Sequence, residues 1–460
     1  MQNIYIDKKE EKLQIGYLLT AGLIFFSLFA IFLLGIKGVY LAIAALTGLI
    51  LVPIVYNKTN FFLFLSLFIY PLSRIFSTDD KFIATGALYL LSFPCVVALI
   101  SKKFGENART HSFLWGLILY AGVIALNFFR TDVALIEPAK DIARTFYAVF
   151  IVLAVQDYIS SSPEKLEKLS KYLSYFMNFM AGLSVLQYIT RIGGINIEGY
   201  YRVRGLFPNS NDYGFILAIF ITFAFCNFLN AAKNKEKTYW GITLALNLII
   251  LILTFSKTSI INTALALIVM GVFLPSRAKA KLFATIAVSA PLLWAFLSGT
   301  GLITSLIGRF SDTRSLMWRE ELWRNLFNAF MQGNIWFGQG ANASRDLFQY
   351  ILPVNTSIAP HNVYLEQLYN FGIIGIIPFI LIFAMIILKG VKGLLNKDIS
   401  DKITGISIIS IALITLIQNY VSNAFYDRAG NIIYWAIIAL LICGYKNNFQ
   451  LNKQTEAERL

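Results

Sequence analysis

The sequence predicts an all-α fold: a polytopic membrane helix bundle of about 12–14 transmembrane helices, with one long outer-face loop containing an amphipathic helix. Three observations predict it. Apolar runs of about 18 residues or more, each long enough to cross the hydrocarbon core, recur from one end of the chain to the other. Only 14% of the residues are charged against 57% hydrophobic, and the mean hydropathy of +0.65 is far above that of a soluble domain. One sizeable polar interruption, Thr300 to Pro360, separates the apolar runs.

Taken in order, fourteen runs begin near Leu13, Val39, Phe61, Phe82, Ser112, Ala139, Lys171, Asp212, Tyr239, Ser259, Leu282, Asn362, Ile403 and Ile432. The shorter ones around Phe61 and Ser259 allow a count of twelve. The first run, Leu13 to Leu34, is too long for a signal-peptide core, so no cleavable signal is expected. Residues 1–299 read as N-terminal transmembrane helices, 300–361 as an extracytoplasmic loop with an interfacial helix, and 362–460 as C-terminal transmembrane helices with a cytoplasmic tail. Cys95, Cys226 and Cys443 lie far apart within or at the ends of apolar runs, offering neither metal spacing nor a disulfide framework.

The net charge of +14 reads through topology rather than through nucleic acid. With the N-terminus inside, the inside loops hold 23 of the 39 Lys and Arg, as the positive-inside rule requires. That orientation sorts the two cations differently: 20 of 24 lysines fall inside, whereas 12 of 15 arginines fall outside. The outside set is Arg74, Arg130, Arg144, Arg191, Arg202, Arg204, Arg309, Arg314, Arg319, Arg324, Arg345 and Arg428. Topology does not ask for outside arginine, but a guanidinium stays charged and grips phosphate oxygens with two hydrogen bonds. Pairing with outside carboxylates accounts for part of the set; a phosphate-bearing anionic ligand accounts for the rest.

Two outer segments concentrate these residues. RIGGINIEGYYRVRGLFPNSN, from Arg191, carries turn signals and the close pair Arg202 and Arg204. Tyr200 and Tyr201 suit either sugar stacking or a membrane-interface belt. In the long loop, SDTRSLMWREELWRNLFNAF predicts a helix capped by Ser311 or Asp312, with Leu316, Leu322, Trp323, Leu326, Phe327 and Phe330 as its apolar stripe. It is expected to lie along the membrane interface or over the bundle mouth, with Arg309 and Arg314 at its anion-favouring N-terminal end. Arg319 and Arg324 suit pairing with Glu320 or Glu321 on a solvated face. FGQGANAS, from Phe337, superficially matches a dinucleotide-binding turn, but no βαβ unit surrounds it, and a tight turn re-aiming the chain is the better reading.

One of only two histidines, His361, starts the next apolar run in IAPHNVYLEQLYNFGIIGIIPF. By itself it reads as a cap; on the arginine-rich outer side it reads as a general base. Asn362 and Glu366 suit either orienting the imidazole or binding sugar hydroxyls, or else capping and packing. Gly372 and Gly375 suit close helix packing, and Pro378 a kink. His111 reads as an interfacial residue on the inner side, and Asp79–Asp80 as a solvated turn rather than a metal motif.

Three blocks resemble the O-antigen ligase and O-antigen polymerase superfamily of bacterial membrane glycosyltransferases: RGLFPNSNDYG, RFSDTRSLMW leading to WFGQGAN, and HNVYLEQLYNFGIIG. LTFSKTS is similar to a fourth block, with Lys257 where the family usually carries Arg. The likeness covers roughly the C-terminal two-thirds of the chain. It implies a cofactor-free and metal-free enzyme in the bacterial plasma (inner) membrane, multi-pass, with both termini cytoplasmic and the active site on the extracytoplasmic face. It implies a polyprenyl-diphosphate-linked oligosaccharide donor, a glycan or lipid acceptor, surrounding membrane lipids, a chain-length regulator protein as a further partner, and no nucleic acid. His361 then corresponds to the catalytic residue, Arg204, Arg314, Arg309 and Arg202 to the diphosphate and donor site, and Asn362, Glu366 and Lys257 to orienting or sugar-binding positions. The implied reaction is metal-independent and inverting, and polymerises O-antigen, capsule or exopolysaccharide repeat units. Ligation of the glycan to a lipid or protein is the alternative. A lipid-glycan flippase is the alternative from another class, but it should show internal repeats and mid-span charges, and a structural subunit leaves the arginine sorting unexplained.

Overall fold

The computed structural model describes residues 51–52, 55–56, 58–72, 92–100, 112–129, 136–160, 162, 164–197, 199–207, 209–299, 301–351, 360–422 and 432–444. The expected spans from Leu13 and Val39, the start of the one from Phe82, and His111, Asp79, Asp80, Arg74, Arg130 and Arg428 lie outside them. The chain forms the predicted all-α membrane bundle. In order come α1 (Thr59–Leu72), α2 (Ser112–Ala125), α3 (Ile136–Ser160) and α4 (Glu164–Thr190), then a hairpin of β1 (Ile195–Ile197) and β2 (Tyr200–Arg202). There follow α5 (Ser210–Asn230), α6 (Asn234–Leu253), α7 (Lys257–Phe273), α8 (Ser276–Gly299), α9 (Leu302–Ser311), α10 (Arg314–Gln332), α11 (Ala343–Ile351), α12 (Val363–Leu394), α13 (Ile399–Val421) and α14 (Ile432–Gly444).

Among the described residues, five helices are long and apolar enough to cross a membrane: Pro138–Ser160 within α3, and α5, α6, α12 and α13. Helix α5 shows why. Asn209 caps it, its side chain accepting from the Asn211 and Asp212 N–H groups at 2.9 Å, and apolar residues on every face bury it in the core. Around it pack α6, α7 and α13, and α13 in turn packs along α12. The α12–α13 seam is made by glycine: a Cβ at Gly393 would lie 2.9 Å from Gly405 Cα, and one at Gly390 would lie 2.8 Å from Gly405 O. Gly375 instead faces α2, where its nearest neighbour across the interface is Val123.

The expected kink at Pro378 falls at Gly372, the one residue in α12 with non-helical dihedrals (φ 67°, ψ −166°). The break frees backbone groups that the segment 335–340 takes up. Ile373 N donates to Ile335 O at 3.0 Å and Ile374 N to Trp336 O at 3.2 Å, while Gln339 N and Gly340 N donate to Tyr369 O and Asn370 O at 2.8 Å. FGQGANAS is therefore a turn, as its glycines predict, but one that seals a broken membrane helix. Non-helical backbone inside an apolar helix is tolerated where other protein groups satisfy it.

Among its described residues the long loop holds three helices where one was expected. Ser311 ends α9, its hydroxyl bonded to Ile307 O, and the Asp312 carbonyl accepts from Lys257 Nζ, so neither caps α10; Thr313 occupies that position without a side-chain bond. On α10, Leu322, Trp323, Leu326 and Phe330 are buried against Phe348 of α11 and Tyr369 of α12. Leu316 and Phe327 fall outside that stripe and are exposed, because α10 shares its packing face with α11 and needs only a narrow one.

A Cβ at Gly372 would collide with the Trp336 carbonyl and come within 2.6 Å of Phe337 N. Gly372→Ala is expected to destabilise the protein by about 3 kcal/mol or more, read as a fall in the thermal unfolding midpoint in detergent. Gly122→Ala, where a Cβ meets nothing within 4 Å, is expected to leave the midpoint unchanged or slightly raised.

Candidate functional site

The predicted site residues gather at the end of the bundle where α5, α7 and α12 begin and α6 and α13 finish. Two constellations form there, one on the hairpin and one on the α10–α12 side.

The hairpin constellation is organised by Arg202. Its guanidinium is buried, with Nε donating to Thr254 O at 2.7 Å and Nη2 to Asn211 Oδ1 at 2.6 Å. Thr254, Phe255 and Ser256 form the break between α6 and α7, so Arg202 satisfies a carbonyl at the end of α6, where the helix dipole also favours a cation. Phe255, in the left-handed region at φ 49°, stacks on Tyr200. Arg204 donates from Nε to Gly193 O at 2.8 Å, and its backbone N–H is held by Gln187 Oε1 of α4. Tyr201 lies against Arg191, 4.9 Å from ring to guanidinium, and its hydroxyl accepts from Gly194 N. Gly308 admits Tyr200, since a Cβ there would be 2.7 Å from the hydroxyl, which sets α9 and its buried Arg309 on the hairpin. Lys257 at the start of α7 reaches across to the Asp312 carbonyl. Arg202, Arg204, Arg309 and Lys257 are thus brought to one neighbourhood, and Arg202 and Arg204 hold loops in place there.

The second constellation surrounds His361. The residue takes φ 54°, a left-handed conformation that costs a non-glycine residue ~1–3 kcal/mol. Asn362 follows as the cap of α12, its side chain accepting from Leu365 N at 3.1 Å. Trp323 Nε1 donates to Pro360 O at 2.9 Å and fixes the approach to the histidine from the other side. The Trp318 ring lies 5.9 Å from the imidazole, tilted by 59°. Burial, and then the charges of Arg319 on α10 and Arg345 on α11, hold the His361 pKa down at about 4. Arg345 also pairs with the buried Glu366, Nε to Oε1 3.8 Å. Asp141 and Arg144, themselves joined at 2.7 Å on α3, lie within electrostatic reach of the same carboxylate. Arg314 is the first residue of α10, one turn before Trp318.

Asn362 therefore caps, and Glu366 is a buried carboxylate with an arginine partner. Arg319 lies within electrostatic reach of His361. Trp318, Arg345 and the Asp141–Arg144 pair complete the site without having been singled out, although Arg144 and Arg345 belong to the outside arginine set. Among the described residues no group of three or more His, Cys, Asp or Glu side chains is placed to hold a metal ion.

A multi-pass helix bundle with a histidine and several arginines at one end defines a membrane protein with a polar, cationic cluster at that end. The family model described as O-Antigen ligase matches residues 242–380, and that match supports the O-antigen ligase and polymerase superfamily and glycan transfer of its type. The matched stretch runs from α6 to α12 and includes Lys257, Arg309, Arg314 and His361; the block with Arg202 and Arg204 precedes it. None of the curated proteins matches the chain.

With its pKa depressed, the imidazole is neutral above about pH 4 and gains a proton only as the pH falls through that value. In a His111→Gln background, where His361 is the sole histidine, ring-labelled NMR is expected to show a midpoint near 4. A midpoint near the ordinary 6.5 contradicts the burial and the two cationic neighbours.

Proposed function

We propose that the chain is a metal-independent inverting glycosyltransferase that moves a glycan from a polyprenyl diphosphate carrier to an acceptor hydroxyl at the outer face of the membrane, polymerising surface polysaccharide repeat units. The observation that carries this reading is the placement of His361, a half-buried neutral imidazole in the positive field of Arg319 and Arg345, within the stretch that matches an O-antigen ligase family. In the reaction the acceptor oxygen bonds the anomeric carbon, the carbon–oxygen bond to the diphosphate breaks, and the acceptor proton passes to an imidazole nitrogen. The carrier leaves as a diphosphate anion, stabilised by guanidinium groups fixed before the reaction begins. A single displacement inverts the anomeric centre.

A base with a pKa near 4 is plentiful but weak at neutral pH. The donor itself corrects this. Its diphosphate, arriving beside two guanidiniums, offsets their field and raises the imidazole's affinity for a proton when the acceptor is in place. Donor binding and base strength are thereby coupled.

The ligase reading shares the donor and the base and takes its support from the description of the matching family. A product ladder separates the two. Purified protein given a polyprenyl diphosphate oligosaccharide alone is expected to lengthen the lipid-linked chain; transfer only to a second lipid or protein acceptor favours the ligase. No transfer under either condition removes the enzyme reading.

Replacing His361 with Ala is expected to lower turnover by about 100-fold or more while donor binding changes little, with or without EDTA. Wild-type activity abolished by EDTA counts against the metal-free scheme. Arg314→Lys is also expected to lose turnover, because a point charge does not replace a two-pronged guanidinium; near-normal turnover sinks the role given to Arg314.

A further inference from the structure

Helix α4 carries an exposed apolar stripe. Tyr175, Phe179, Gly182, Leu186 and Ile189 follow one another at intervals of three or four residues, so they share one face, and all five are exposed. The stripe runs for about 21 Å, longer than the roughly 15 Å of hydrocarbon in one leaflet. It ends at Ile189, 70% exposed, and Ile192 just past the helix is 73% exposed. Between them stands Arg191, also exposed. Its guanidinium lies 4.5 Å from the Tyr188 ring of α4 and 4.9 Å from the Tyr201 ring of β2. Stacking on rings uses none of a guanidinium's N–H donors. Among the described residues no carboxylate forms an ion pair with Arg191 and no acceptor takes those donors. The backbone there adopts φ 58°, a left-handed conformation that favours glycine. We propose that Arg191, clasped by Tyr188 and Tyr201, binds the phosphate of a membrane phospholipid whose acyl chains lie along the exposed stripe of α4.

The chemistry of the place selects that ligand. A guanidinium grips phosphate oxygens with two hydrogen bonds, and tyrosine rings suit the level between hydrocarbon and headgroups. An unpaired cation at the end of an apolar stripe fits an anion that carries hydrocarbon, not a free anion. The hairpin also sets this site apart from the reaction constellation. Neighbouring strand residues point to opposite faces. Tyr200 stacks on Phe255 and meets α9 at Gly308, on the side of Lys257 and Arg309, whereas Tyr201 turns toward Gly194 and Arg191. The phosphate therefore sits behind the hairpin.

The turn that carries Arg191 is built by specific contacts. Gly194 N donates to the Tyr201 hydroxyl at 2.9 Å, and a Cβ at Gly194 would collide with the Tyr201 ring. Gly193 O accepts from Arg204 Nε at 2.8 Å, and Gln187 Oε1 accepts from Arg204 N and Gly205 N at 3.2 and 3.0 Å. A lipid phosphate on Arg191 thus steadies the turn that holds Arg204, linking the bilayer to the hairpin.

This inference rests on the membrane bundle and not on the glycosyltransferase reading. Native mass spectrometry of the full chain, titrated in detergent with phosphatidylglycerol, tests it. Arg191→Gly suits the left-handed backbone and removes the guanidinium, so the thermal midpoint is expected to hold or rise. In that variant the affinity for the most tightly held phosphatidylglycerol is expected to fall about tenfold or more. Arg191→Lys, which keeps the charge without the fork, is expected to lose about threefold. Diacylglycerol with the same chains is expected not to displace the phospholipid, and inorganic phosphate to do so only at about a hundredfold higher concentration or more. Hydrogen exchange across 191–205 is expected to slow when phosphatidylglycerol is added to the unsubstituted chain, and to stay unchanged by it in Arg191→Gly. An unaltered affinity in folded Arg191→Gly overturns the proposal. So does displacement by diacylglycerol, which leaves an apolar stripe alone, or by inorganic phosphate at matching concentration, which marks a free-anion site. Displacement by a polyprenyl diphosphate oligosaccharide at matching concentration also overturns it, marking a place for the carrier instead.

Discussion

Backbone pairing between residues 335–340 and the broken turn of α12 at Gly372 is the contact on which the rest of the site depends. A break inside a long apolar helix exposes N–H and C=O groups, and each one left buried without a partner costs several kcal/mol. Four hydrogen bonds from one loop remove that cost at Gly372. In doing so they fasten α10 and α11 to the first turns of α12. Trp318, Arg319, Arg345 and His361 are then held together by covalent neighbours of a single interlock. Two glycines at positive φ line it, Gly338 against the Asn370–Phe371 backbone and Gly372 against the Trp336–Phe337 backbone, so backbone meets backbone where a side chain would not fit.

Much of this was legible in the sequence. The apolar runs describe the bundle because a membrane helix must be long and continuously apolar, and α3, α5, α6, α12 and α13 follow those runs closely. His361 was visible because histidine is scarce in the chain and this one opens a span. The break at Gly372 was not visible, since Pro378 offers the louder local signal and the partners of the break lie more than thirty residues upstream. Hydrogen bonds between distant backbone segments leave no local pattern. The same reason hides the pairing of Arg345 with Glu366 and the capping of α6 by Arg202. Composition can sort arginines to one side of a membrane, but only the fold says which of them hold loops.

The arginines of the site divide into two groups. Arg202 and Arg204 stabilise the hairpin and the α6–α7 break, so they shape the surface near Lys257 and Arg309. Arg319 and Arg345 instead set the electrostatic environment of His361. Burial and then these two cations keep the histidine neutral, and under the proposed function the same positive field would receive an anionic donor and be offset by it. The left-handed backbone at His361 persists because the surrounding contacts, here Asn362 and Trp323, over-determine it.

Hydrogen–deuterium exchange on Asn334→Ala tests the interlock most directly, because the Asn334 side chain accepts from Trp336 N and Phe337 N and so organises the loop from its own side. The account predicts that peptides covering 335–340 and 369–374 are both slow to exchange in the unsubstituted chain and both accelerate together in the variant. Continued protection of 369–374 while 335–340 exchanges freely would show that the break in α12 supports itself, and would contradict the account.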